Sequence, residues 1–125
     1  MNYVNNKDML KELRRSHKAC SPTSELCEQF MLMAQRISSK GSYAGYTYRE
    51  DMQSFAVMHL VRVWDRFDMS RDNPFSFFTT CINNYFKQYL NYEKKHRDIR
   101  DELFVENGLD PSYSYQVQYE LQQSS

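Results

Sequence analysis

Residues 47–68, TYREDMQSFAVMHLVRVWDRFD, and residues 73–100, NPFSFFTTCINNYFKQYLNYEKKHRDIR, decide how this chain folds. The first stretch opens with Thr47 and Glu50 at capping-box spacing, where threonine and glutamate satisfy each other's free backbone N–H groups. Beyond them Met52, Phe55, Ala56, Leu60, Val63, Trp64 and Phe67 fall in one broad arc at about 100° per residue. A helix is therefore expected to about Asp68, with that arc as its core face. The second stretch has Asn73 as a cap and Pro74 at the first helical position, and no Gly or Pro after that. It predicts a helix to about Arg100 that turns Phe78, Ile82, Phe86, Tyr89 and Leu90 inward.

Two shorter helices precede these. Met9, Leu10 and Leu13 form a weak stripe over about Asn6–Ala19. Ser21-Pro22-Thr23-Ser24 then supplies a cap with proline at the first helical position, leading to Leu26, Phe30, Met33, Ala34 and Ile37 on one face. Residues 38–46 hold two of the three glycines and read as a linker. From Asn107-Gly108 onward the helical period fails. Tyr113, Tyr115, Val117, Tyr119 and Leu121 alternate with other residues as in a strand, but a lone strand has no partner. The expectation is an all-α domain of about four helices over residues 1–100. An acidic, tyrosine-rich tail, disordered or docked on a partner, is expected over residues 101–125.

Composition narrows the function. The 125 residues carry 16 Lys+Arg and 16 Asp+Glu, so no global basic excess marks a nucleic-acid binder. The distribution is uneven, however. Residues 73–100 hold five basic and two acidic side chains, whereas residues 101–125 hold five acidic and no basic ones. Three Gly and three Pro are too few for a turn-rich β sandwich or barrel. No apolar run reaches the roughly 18 residues of a membrane span, and the start lacks a signal-peptide pattern. Cys20, Cys27 and Cys81 form no C-x-x-C and suit a reducing cytoplasm. His17, Cys20 and Cys27 fit no zinc spacing, and no glycine-rich phosphate loop exists. His59 lies on a core arc. No enzymatic activity, catalytic residue, metal site or cofactor is expected.

Both long helices have more apolar faces than a small domain needs. Glu50, Ser54, Val57 and Val61 make an i, i+4, i+7, i+11 line away from the core arc, to be covered either by another part of the chain or by a partner helix. On the fourth helix Phe77, Cys81, Asn84, Gln88 and Tyr92 project outward. Lys87, Lys94, Lys95, His96, Arg97 and Arg100 lie among and after them. Aromatic rings stack on unpaired bases, amides read base edges and cations neutralise phosphates, so this face suits nucleic acid. The plainer alternative is a solvated helix whose extra aromatics cover a loop.

Glu50-Asp51-Met52-Gln53 through Asp65-Arg66-Phe67-Asp68, then Asn73-Pro74-Phe75-Ser76-Phe77-Phe78-Thr79-Thr80, resembles region 2 of bacterial sigma factors. In that family an acidic-opened helix ends D-[KR]-F-[DE] and the next begins F-S-[TF]-[YF]-x-T. The opening Asn2-Tyr3-Val4-Asn5-Asn6-Lys7 is similar to the late sigma factors of T-even-type bacteriophages, reduced proteins that keep region 2 and lack the −35-reading domain. The resemblance covers about residues 2–100.

It implies a phage-type minimal sigma factor acting in late transcription initiation, in the cytoplasm of an infected bacterial host. Its partners would be bacterial core RNA polymerase and the non-template strand of the promoter −10 element, with no membrane. The positions matching the helix that docks on the clamp helices of polymerase's largest subunit are Asp51, Ser54, Phe55, Val57 and Val61. Phe75 and Phe78 match aromatics that hold a flipped base. Cys81 and Ile82 stand where housekeeping sigmas carry a duplex-wedging tryptophan pair, leaving Phe77 or Tyr85 for that role. Tyr85 and Gln88 match positions facing the upstream edge of the −10 element, with Asn84 beside them. Lys87, Lys94, Lys95, Arg97 and Arg100 are the expected phosphate contacts. The phage late sigmas also end in a peptide that binds the replication sliding clamp. The ending Tyr119-Glu120-Leu121-Gln122-Gln123-Ser124-Ser125 has no such match, so a coactivator or sliding clamp is a partner by resemblance alone. The alternative is a polymerase-binding adaptor, coactivator or inhibitor, that does not read DNA.

Overall fold

Three of the four helices begin where a side chain takes over an unpaired backbone N–H group. A computed structural model of the chain describes residues 4–40, 43, 45, 48–110 and 116. Four helices, α1 (Asn6–Ala19), α2 (Ser24–Ser38), α3 (Arg49–Val63) and α4 (Pro74–Glu106), make an all-α architecture with no strand among the described residues. The chain divides into two compact units, residues 1–89 and residues 90–125.

The Asn5 side chain caps α1 by accepting from the Asp8 N–H at 2.9 Å. At its other end Cys20 adopts a left-handed conformation, φ 56°. Backbone bonds from Cys20 to His17 and from Ser21 to Ser16 close the helix there. Ser21 belongs to this closing turn through its backbone N–H, and the cap of α2 falls two residues later. Thr23 rather than Ser21 starts α2, and Pro22 lies in the connection instead of at the first helical position.

The Thr23 hydroxyl accepts from the Leu26 N–H at 3.1 Å and donates to Glu12 Oε2 at 3.1 Å. Glu12 is buried, and Arg15 completes its coordination at 2.7 and 3.2 Å. One side chain thus caps α2 and ties it to a buried carboxylate on α1. Thr23→Ala is expected to lower unfolding stability by ~1–2 kcal/mol in urea denaturation, since a lost cap typically costs that much.

α3 differs from its expected form at both ends. It begins at Arg49 after Tyr48, which makes no capping bond, while Thr47 of the expected capping box lies outside the described residues. It ends at Val63, followed by a 3-10 turn over Trp64–Arg66 in place of helix to Asp68. Phe67 takes an extended backbone that turns its ring into the core. Asp68 then accepts from the Ser70 hydroxyl at 2.7 Å and its N–H at 3.0 Å, bonds that hold the carboxyl below its usual range and fix the turn into α4.

α4 starts at Pro74 as expected, and Asn6 of α1 receives the Phe75 N–H at 2.9 Å. The helix runs past Arg100 to Glu106, so residues 101–106 are helical and not tail. Gly108, at φ 74°, and Leu109 bond back to Val105 and Phe104 in a glycine stop. Tyr113, Tyr115, Val117, Tyr119 and Leu121 lie outside the described residues.

The core belongs to the first unit. Met9 and Leu13, Leu26, Phe30, Met33 and Ala34, Met52, Ala56 and Leu60, and Phe78, Ile82 and Phe86 are its buried centre. Phe30 and Phe67 flank Phe78 with ring centroids 4.8 and 5.9 Å away. Val63, Phe55 and Ile37, all expected inside, are half-buried at its margin.

Candidate nucleic-acid interface

The first turns of α4 place Phe75, Thr79 and Asn83 in line at i, i+4, i+8. They form one wall of a cleft of about 440 Å³. The opposite wall comes from α2 and the residues after it, with Met33 and Ile37 as apolar floor and Arg36, Lys40 and Tyr43 beside them; Val4 closes one side. Phe75 is 41% exposed. The Tyr43 hydroxyl donates to Asn83 Oδ1 at 3.1 Å, and Asn83 Nδ2 donates to the Thr79 carbonyl at 3.1 Å. The Tyr43 ring also meets Phe86 edge-on at 5.2 Å, so it is held from both ends. None of the described residues lining the cleft is acidic, and its volume falls within the roughly 300–1,000 Å³ of ligand pockets. An exposed ring, apolar walls, an amide and two cations can receive an unpaired base and its phosphate.

The expected −10 residues divide among three faces of α4. Phe78 and Ile82 are fully buried, so they are core side chains with no surface for DNA. The inward period already assigned them to the core; their family positions alone argued otherwise. Phe75 belongs to the cleft. Phe77, Cys81, Asn84, Tyr85 and Gln88 occupy the side of the helix nearly opposite, at i, i+4, i+7, i+8, i+11. Asn84 and Gln88 are exposed there, while Cys81 and Tyr85 are half-buried; Lys87, also exposed, continues the Phe75/Thr79/Asn83 row instead. Phe77 leans on Phe67 and Phe78 at 5.4 and 5.0 Å.

Burial pushes the Cys81 thiol up, and the Tyr85 hydroxyl likewise, so both keep their protons at neutral pH. Cys27 is also raised by burial, whereas Cys20 is exposed. Alkylation at mildly alkaline pH, followed by mass spectrometry, should therefore modify Cys20 ahead of the other two.

On α3 the expected polymerase residues are also split. Asp51 and Ser54 are exposed. Val57 and Val61 are half-buried, so the chain itself partly covers that stripe. Phe55 faces elsewhere and packs on His59 and Tyr89 at 4.3 and 5.5 Å. His59 is satisfied, with Nδ1 2.8 Å from the Phe55 carbonyl and its ring against Tyr85 at 4.9 Å. The open face of α3 centres on Met58, 47% exposed between Ser54, Asp51 and Val61.

Sequence reasoning missed Met58 and most of the cleft: Arg36, Lys40, Tyr43, Thr79 and Asn83. The Phe75/Thr79/Asn83 and Arg36/Lys40 spacings were legible. What joins them is the packing of α2 beside α4, which no local pattern shows. In the second unit Lys94, Lys95, Arg97 and Arg100 are all exposed, and the Arg100 guanidinium lies 6.0 Å from the Phe104 ring centre.

No family model and no curated protein matches the chain. Among the described residues no three His, Cys, Asp or Glu side chains gather as metal ligands, and no helix is long and apolar enough to cross a membrane.

Proposed function

We propose that this protein is a minimal sigma factor that docks on bacterial core RNA polymerase through α3 and captures unpaired −10 bases through α4 and its cleft. The observation that carries the reading is the cleft itself. Its exposed Phe75 ring sits with Arg36, Lys40 and Asn83 at the start of the helix whose sequence resembles the DNA-reading helix of sigma factors. Such a protein performs no bond chemistry. Its contacts to unpaired bases offset the free energy of opening the duplex, which is lowest at A/T-rich steps. The cleft and the Asn84–Gln88 side of α4 are two sites for the strand, with Lys87, Lys94, Lys95, Arg97 and Arg100 as phosphate contacts.

Docking on polymerase falls to the Asp51, Ser54, Met58 and Val61 face. An exposed methionine among small and acidic side chains suits a helical partner surface. Co-elution with core polymerase tests this directly. Wild type should bind, and Met58→Asp should bind at least tenfold more weakly without unfolding, because Met58 is exposed. Val57→Asp/Val61→Asp should also lose binding; since those valines are half-buried, its fold must be checked by circular dichroism. A wild type that fails to bind polymerase would overturn the proposal.

A further inference from the structure

The part of α4 in the second unit carries an exposed stripe that neither the cleft nor the α3 face uses. Tyr92, Ile99 and Leu103 are 56%, 47% and 52% exposed, and His96 completes the line, its ring centre 4.2 Å from that of Tyr92 at a tilt of 51°. Their spacing is 4, 3 and 4, the a/d seam of two heptads with Tyr92 and Ile99 at d and His96 and Leu103 at a. The flanking e and g positions are Glu93 and Arg100, and Lys95 and Glu102.

These charges select an orientation. In a parallel pair each e position meets a g position, and the order of signs gives no consistent match across both heptads. In an antiparallel pair centred between residues 97 and 98, Tyr92 faces Leu103 of the second copy and His96 faces its Ile99. Lys95 then approaches Glu102 of the second copy, and Glu93 its Arg100. Two-fold symmetry repeats every contact, giving four opposite-charge pairs around an apolar seam.

We infer that this segment is a self-complementary surface on which a second copy of the chain docks antiparallel. Two heptads bury less than the roughly 1,200 Å² of a stable interface, so association is weak, with monomer at ~10 μM and dimer at ~1 mM. The inference shares Lys95 and Arg100 with the proposed phosphate contacts but is tested apart from the sigma reading, since it predicts an oligomeric state in the absence of polymerase and DNA.

Sedimentation equilibrium of the full chain at low salt tests it, with circular dichroism to confirm retained helix. Wild type should dimerise over that concentration range. Ile99→Asp should abolish dimerisation. Lys95→Glu and Glu102→Lys should each weaken it about fivefold to tenfold, because each reversal sets two like-charge pairs against each other. The double variant Lys95→Glu/Glu102→Lys should regain wild-type association. A wild type that stays monomeric at ~1 mM would overturn the inference. So would single reversals without effect, or a double variant that is not rescued.

Discussion

Phe78→Ala is expected to lower the unfolding free energy by about 3–5 kcal/mol, the usual range for removing a fully buried phenylalanine. The ring has no exposed surface and is held among Phe30, Phe67 and Phe77 at 4.8, 5.9 and 5.0 Å. Those neighbours come from α2, the loop after the 3-10 turn and α4 itself, so they cannot all collapse into the space left behind. Against a typical total of roughly 5–15 kcal/mol, that loss brings the domain close to unfolding. Urea denaturation of the variant is the measurement. A change below ~1 kcal/mol would mean that Phe78 is not in the core and would restore it as a candidate for base capture.

Phe75→Ala is the opposite case. With its ring partly in water, its loss should change stability by less than ~1 kcal/mol. Binding of a promoter bubble by the polymerase complex should weaken roughly 5- to 150-fold, the equivalent of ~1–3 kcal/mol for one stacked base. Arg36→Ala and Lys40→Ala should each weaken it less and make it less sensitive to salt, as expected for phosphate contacts. Fluorescence anisotropy on a bubble with a labelled non-template strand separates these effects. If Phe75→Ala binds as wild type does, the cleft does not hold a base. The Phe77–Gln88 side of α4 would then be the only strand site left in the proposal.

Phe75 and Phe78 also show how far local sequence carries the fold. Helical period assigns Phe78 inward, along with Met52, Ala56, Leu60, Ile82 and Phe86, because the same residues repeat on one arc whatever the tertiary context. The start of α4 was legible for a similar reason, since proline is pre-set for the first helical turn. The start of α2 and the stop of α3 were not. Thr23 caps α2 while its hydroxyl also reaches Glu12 of α1, a contact between helices that no local pattern shows. The stop of α3 depends on Phe67 reaching Phe78, a contact between separate elements.

The sites follow the same division. Residues on one helix at i, i+4 spacing can be grouped from sequence, so the Asn84–Gln88 face and the Val57/Val61 line were visible. Whether a neighbour covers them was not, and Val57 and Val61 prove half-buried. Met58 was overlooked because it falls on neither the core arc nor the Glu50/Ser54/Val57/Val61 line, and its exposure shows only in the folded chain. The cleft brings residues 33–43 against residues 75–83, and only folding makes that pairing.

On the proposed reading, the chain lets core polymerase capture unpaired −10 bases and start transcription there, which polymerase does not do alone. The most direct test is transcription by bacterial core RNA polymerase on a template carrying a pre-melted, A/T-rich −10 bubble, with and without this protein. The expected result is initiation that requires the protein, changes with the bubble's non-template sequence, and is lost in Phe75→Ala and in the combined Lys94, Lys95, Arg97 and Arg100 to Ala variant while polymerase binding persists. Polymerase binding without any protein-dependent initiation would contradict the claim and leave a polymerase-binding adaptor in its place.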